Sequence, residues 1–214
     1  MRFGFSQNTR TVIAVFITLL IVCELIVYAA TMPSASAQFF RVYVLGRNHL
    51  VANYYPDNDS DIRVGEPVEW YLGVTNNMGT VQLVSILVKI SNSTIKPPDD
   101  QQELESPAPA VTDFARFLED NETWEFPFVW NISNATSIDG STRVVTLQIN
   151  NETYQISDWS ASNGYNFRLI FELWTWQTES NTYEFGWNTN GEHQVAWLQV
   201  WFNMTNTPPQ PPSR

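Results

Sequence analysis

Asp57, Asp59 and Asp61 are the first residues to suggest chemistry, because carboxylates at alternate positions can converge on one hard cation, as at the start of a calcium-binding loop. The rest of such a loop is missing. Where it would need a glycine and a closing acid the chain has Ile62 and Val68, so the three acids read as a solvated turn. The two histidines, His49 and His193, lie in separate segments with no Cys or Asp cluster at ligand spacing, and read as ordinary loop or strand-end residues. There is no G-x-S-x-G elbow and no glycine-rich phosphate loop, and the single cysteine, Cys23, lies inside an apolar run. Nothing in the spacing selects two carboxylates of the glycosidase kind. No catalytic residue, metal or cofactor is assigned, and the chain is expected not to be an enzyme.

Residues suited to attachment and contact are more numerous. Seven Asn-X-Ser/Thr sites, at Asn58, Asn92, Asn121, Asn131, Asn134, Asn151 and Asn203, all follow the apolar run, which suits glycosylation outside the cytoplasm. Asn, Ser and Thr are also common in β turns, and several of these sites fall where turns are expected. Nine tryptophans could stack on sugar rings or simply fill a core. Side-chain parity separates some of them. Phe167, Leu169, Phe171 and Leu173 form one apolar row, which sends Arg168, Glu172, Trp174 and Trp176 to the opposite face. In the last strand Ala196, Leu198, Val200 and Phe202 form the core row and send Trp197 and Trp201 outward. If those strands are neighbours, Trp174, Trp176, Trp197 and Trp201 share one outer surface, a candidate interaction face. The alternative is that the segment 178–193, with Tyr183, Phe185 and Trp187, folds back over them.

These residues need a scaffold and a compartment. Thr11 to Thr31 reads TVIAVFITLLIVCELIVYAAT, long enough as a helix to cross a hydrocarbon core of about 30 Å. Glu24 opposes insertion by about 3 kcal/mol, against about 0.3–0.6 kcal/mol gained from each Val, Ile, Leu and Phe in the run, so insertion wins. Its carboxylate has three outlets: the outer interface, protonation, or a polar group on a partner helix. Arg2 and Arg10 precede the run and the next basic residue is Arg41, which places the N-terminus in the cytoplasm and the rest outside. A removable secretory signal, cleaved after Ala35-Ser36-Ala37, is the competing reading. A formal net charge of -11 argues against a nucleic-acid partner.

From Gln38 onward period-two patterns dominate. Strands are expected over Phe39–Leu45, Val68–Thr75, Thr80–Ile90, Trp124–Trp130, Thr142–Ile149, Asn166–Gln177 and Gln194–Met204, with Pro127 marking an edge or bulge. Lys96 to Asp120 reads as the main loop, with a helical turn near Phe114. The fold class is therefore all-β, an immunoglobulin-like antiparallel β-sandwich with one N-terminal transmembrane helix. The expected organisation is a cytoplasmic N-terminus (1–10), transmembrane helix (11–31), spacer (32–37), extracytoplasmic β-sandwich (38–205) and Pro-rich tail (206–214).

Several segments together resemble an archaeal family known as domain of unknown function 1616. They are Tyr43-Val44-Leu45-Gly46, Val64-Gly65-Glu66-Pro67, Tyr71-Leu72-Gly73-Val74-Thr75-Asn76, Glu122-Thr123-Trp124-Glu125, Phe171-Glu172-Leu173-Trp174 and Leu198-Gln199-Val200-Trp201. The resemblance implies an archaeal source, a membrane setting and an outward β-sandwich, and transfers no site. Family members carry several membrane helices before the sandwich, whereas this sequence has one apolar run of that length.

The sequence thus points to a membrane-anchored protein that serves as a cell-envelope structural or interaction protein, or as an accessory subunit of a membrane complex. Its partners would be the bilayer, through Thr11 to Thr31, and another membrane or envelope protein. A surface carbohydrate-binding module is the alternative. Intact-mass measurement of the protein from native membranes is expected to show the segment Thr11 to Thr31 retained; a mature N-terminus at Gln38 would replace the anchored reading with a secreted one.

Overall fold

The structure is a computed structural model that describes residues 7–31, 38–156, 159–189 and 191–205. The 32–37 spacer with its Ala35-Ser36-Ala37 site, the first six residues and the 206–214 tail lie outside the described residues. Contacts divide the chain into two units, Met1–Ala37 and Gln38–Arg214.

In the first unit, α1 (Gln7–Thr31) contains an apolar stretch, Thr11–Tyr28, with a mean hydropathy of 2.6. None of that stretch is buried against protein, so its Val, Ile, Leu and Phe side chains are all presented outward, as a helix long and apolar enough to cross a membrane requires. Glu24 is exposed on the same helix.

The second unit is all β. Its strands are β1 (Phe39–Leu45), β2 (Val68–Asn77), β3 (Gln82–Asn92), β4 (Ala110–Leu118), β5 (Thr123–Ile138), β6 (Ser141–Ile149), β7 (Glu152–Gln155), β8 (Ser160–Ser162), β9 (Phe167–Gln177), β10 (Thr182–Phe185), β11 (Trp187–Thr189), β12 (Glu192–Gln194) and β13 (Trp197–Phe202). One sheet runs β1-β2-β5-β6-β7 with β8 also on β6; the other runs β10-β9-β3-β4 with β13 also on β9; β11 and β12 form a ribbon. The chain passes from β2 in the first sheet to β3 in the second and returns to place β5 beside β2, the Greek-key exchange of immunoglobulin-like sandwiches.

The core forms where the alternating rows of the two sheets meet. Trp70, Leu72 and Val74 on β2 and Phe128, Trp130 and Ile132 on β5 face Val84, Ile86, Val88 and Ile90 on β3 and Leu169, Phe171 and Leu173 on β9. Trp70 lies at the junction, its ring centroid 5.1 Å from Trp130 and 6.2 Å from Phe171 on the opposite sheet; Phe128 reaches the same Phe171 at 5.1 Å. The indole N–H of Trp70 donates to the Tyr54 carbonyl, so this deeply buried ring carries no unpaired polar atom.

All seven expected strands are present in whole or part, and β4, β7, β8, β10 and β11 join them. Gln194–Met204 is divided between β12 and β13, with Ala196 between them. The expected loop at 96–120 is corrected most. Its second half is strand β4, and Phe114 packs on Phe126 and Phe128 from that strand, with no helical turn. Among the described residues β4 is an edge strand bonded only to β3, so much of it faces solvent and its alternation is weak. Pro127 pairs with Tyr71 on β2 but lies beyond the end of β6, so on its other side no strand needs its missing N–H. Asp139-Gly140 and Asn150-Asn151 carry two consecutive positive φ angles, the geometry that closes the β5-β6 and β6-β7 hairpins tightly.

Trp70→Ala is expected to lower unfolding stability by about 3–5 kcal/mol, and Val81→Thr, at an exposed site between strands, to change it by less than about 0.5 kcal/mol, in urea titrations followed by tryptophan fluorescence.

Candidate functional site

The outer face of the five-stranded sheet is built on β9, which pairs with β3 along one side and with β13 and β10 along the other. Register fixes the neighbours. Trp197 stands opposite Glu172, Trp201 opposite Arg168, Ser85 opposite Trp174 and Tyr183 opposite Trp176. The four tryptophans expected on one face therefore do share it.

That face is not uniformly open, which corrects the expectation of one continuous indole surface. Arg168 and Glu172, expected to point to water, are 2% and 0% exposed. Lys89 Nζ lies 2.8 Å from Glu172 Oε2 and also donates to the Ser106 carbonyl at 2.7 Å, while Ser106 N–H donates to Glu172 Oε1 at 2.8 Å. Trp174 Nε1 donates to the same carboxylate at 3.2 Å. Arg168 donates to Ser91 Oγ, Gln199 Oε1 and the Ile95 carbonyl, and its guanidinium sits 4.8 Å from the Trp201 ring centroid. Burial pulls the pKa of Arg168 below its usual value. Segment 93–109 is thus a strap tied to the sheet through charged side chains, and Trp197 reaches it as well, donating from Nε1 to Asp100. The segment 178–193, considered as the cover, instead supplies β10 alongside β9 and the β11-β12 ribbon.

Beyond the strap the face opens. Leu83 pairs with Phe117, and because Val84 pairs with Thr175, Trp176 continues that row towards Tyr183. Phe117 is 67% exposed, while Leu83, Trp174, Trp176 and Tyr183 are partly so. Asp113 borders the strip, accepting from Ser85 Oγ; burial first and the Asp113 charge second raise the pKa of Tyr183. Trp201, 39% exposed, is separated from this strip by the strap. Phe117 lies in a segment whose composition reads as a loop, so no pattern in the sequence singles it out.

The other singled-out residues are dispersed. Asn131 and Asn134 lie on β5 in the opposite sheet, with Asn131 Nδ2 bonded to Gln148; Asn58, Asn121 and Asn151 are exposed in turns with positive φ; Asn203 follows β13 and accepts from Asn166 N–H. Asn92 is 9% exposed, and its Nδ2, the atom a sugar would be attached to, donates to the Ser160 carbonyl at 2.6 Å. Asp59 caps Asp61 N–H and Asp61 holds Thr205, and among the described residues no group of acids, histidines and cysteines is placed to hold a metal. His193 is bonded within the β11-β12 region, to Asn188 and to the Phe185 carbonyl. His49 is more than an ordinary loop residue: its ring stacks on Tyr71 at 3.7 Å and Nδ1 meets Glu125 at 2.5 Å, while Tyr43 O–H donates to the other Glu125 oxygen. Partial burial and the Glu125 contact raise the pKa of Tyr43 to about 12.

No family model and no curated protein matches this chain. Among solved structures it is similar to a β-glucosidase from Listeria innocua in complex with glucose, at TM-score 0.36 and 9% identity over 79% of this chain and 16% of that one. The gluconolactone complex of that enzyme gives TM-score 0.29 at 9% identity with the same coverage. The sporulation control protein Spo0M from Bacillus subtilis gives TM-score 0.27 at 12% identity over 76% of this chain and 90% of that one. The chain thus spans a small part of the glucosidase, and likenesses this distant carry no statement about activity.

Lys89→Met, which strands the Glu172 carboxylate, is expected to cost about 3–5 kcal/mol, and the double variant Lys89→Met with Glu172→Leu much less. Additive costs in a double-mutant cycle would show that the pair does not act as a unit.

Proposed function

We propose that this chain is a membrane-anchored, extracytoplasmic cell-envelope interaction protein or accessory subunit of a membrane complex. It would offer the open end of the five-stranded sheet to another envelope or membrane protein. One observation carries the reading: the strip of Phe117, Leu83, Trp176, Tyr183 and Trp174 is apolar and partly exposed. Glycans at Asn131, Asn134 and Asn151 would be carried on the other sheet and its turns, and one at Asn121 in the turn after β4, four residues beyond Phe117. In this reading Glu24 faces a polar group on a partner helix, and Arg2 and Arg10 hold the N-terminus in the cytoplasm. The resemblance to domain of unknown function family 1616 supports the same reading, since its quoted segments lie on or beside β1, β2, β5, β9 and β13. The carbohydrate-binding alternative loses three of the nine tryptophans, because Trp70, Trp130 and Trp187 are buried and offer no ring to a sugar.

The test is mild-detergent purification of the tagged chain from its native membranes, with mass spectrometry of stoichiometric co-eluting chains. Phe117→Asp is expected to reduce the co-eluting chain at least about tenfold, equivalent to about 1.4 kcal/mol, with circular dichroism unchanged. A monomeric wild-type protein, or co-elution indifferent to Phe117→Asp, contradicts the reading. If Glu24→Leu alone leaves complex size unchanged, the helix has no polar partner.

A further inference from the structure

A second feature lies away from the aromatic strip. Between the segment that follows β1 and the start of β2 is a cleft of about 400 Å³, lined in part by Arg47, Asn53, Tyr55, Asp57, Glu66 and Glu69. Its volume is near the lower end of the roughly 300–1,000 Å³ typical of small-molecule sites.

The walls are fastened before any ligand arrives. Gly46 is in close contact with the returning chain: a Cβ there would stand 2.2 Å from the Ala52 carbonyl oxygen and 2.7 Å from that of Asn53. Gly46 N–H donates to the Leu50 carbonyl at 2.8 Å and Arg47 N–H to that of Asn53 at 3.3 Å. Tyr54 O–H donates to the Val44 carbonyl and Tyr55 O–H to that of Trp201, while Trp70 donates to the Tyr54 carbonyl. The two phenols are therefore held by the main chain, and both tyrosines are among the lining residues. Backbone and phenols fixed in this way lose little conformational entropy on binding.

The polar groups define the ligand. Arg47 and Asn53 supply donors, and Asp57, Glu66 and Glu69 supply planar acceptors, with Arg47 Nε 3.3 Å from Glu69 Oε2. Three carboxylates against one guanidinium disfavour phosphates, nucleotides and uronic acids. A purely apolar ligand would leave those charges desolvated and unpaired. A polyhydroxylated ring satisfies both halves of the lining: its hydroxyls donate to carboxylates and accept from Arg47 and Asn53, while its C–H face lies against tyrosine.

We propose that this cleft is a binding site for a neutral saccharide of one or two pyranose rings. The proposal does not rest on the protein-partner reading, since the two surfaces share no residue. Asn58, a sequon, lines the same cleft, so a sugar attached there could enter it.

The experiment uses the full chain carrying Asn58→Gln, in lipid nanodiscs free of sugar detergents, titrated calorimetrically with maltose, cellobiose and α-mannobiose. Saturable binding of at least one is expected, with Kd of roughly 0.1–10 mM, as for a small, open, polar site. Arg47→Ala and Glu69→Gln should each weaken it at least about fivefold at unchanged thermal midpoint, because the Arg47–Glu69 pair is largely exposed and adds little stability. Phe117→Asp should leave it unchanged. No saturable binding of any of the three up to about 50 mM, or binding insensitive to Arg47→Ala and Glu69→Gln, overturns the proposal.

Discussion

The Lys89 ammonium and the Glu172 carboxylate meet at 2.8 Å on the outer face of a β-sheet, out of contact with water. Two charges taken out of water are stable there only if their remaining donors and acceptors are met. The main chain of Ser106 meets them from above, accepting from Lys89 and donating to Glu172. The pair therefore acts as a buckle for the segment 93–109. With the strap in place, Arg168 also leaves solvent, Trp197 is tied to Asp100, and one half of the sheet's outer face becomes interior. The other half, with Phe117, Leu83 and Trp176, stays open because the strap does not reach it.

This explains what was legible in the sequence. The core rows of β2, β3, β5 and β9 follow from period-two alternation, and the apolar helix from length and hydropathy. The shared face of Trp174, Trp176, Trp197 and Trp201 follows from parity alone. Burial of Arg168 and Glu172 did not follow, since charges on the non-core row of a strand read as solvated unless their partners are known, and these partners are main-chain groups far along the chain. β4 was hidden for a related reason. As an edge strand it has little patterned burial, and the prolines and acids before it give the whole stretch the composition of a loop. The His49–Glu125–Tyr43 cluster was likewise invisible, because it is formed by three segments that only the sheet brings together.

The sandwich has a division of labour in this account. The six-stranded sheet and the turns carry the exposed sequons and the polar cleft near Tyr55, while the five-stranded sheet carries the apolar strip. Each surface adjoins a segment fixed from outside the strands: the strap ends where the strip begins, and the folded connection 46–67 forms the cleft. Main-chain carbonyls and amides do that fixing, at Ser106 and Ile95 in one case and at Val44, Asn53 and Trp201 in the other.

The open end of the five-stranded sheet is proposed as a contact surface. Hydroxyl-radical footprinting, read by mass spectrometry, compares the protein in native membranes with the purified chain. Phe117 and Trp176 are expected to be oxidised readily in the purified chain and protected in the membrane, while exposed Tyr165 on the same domain reacts equally in both. Equal reactivity of Phe117 and Trp176 in the two states would contradict it.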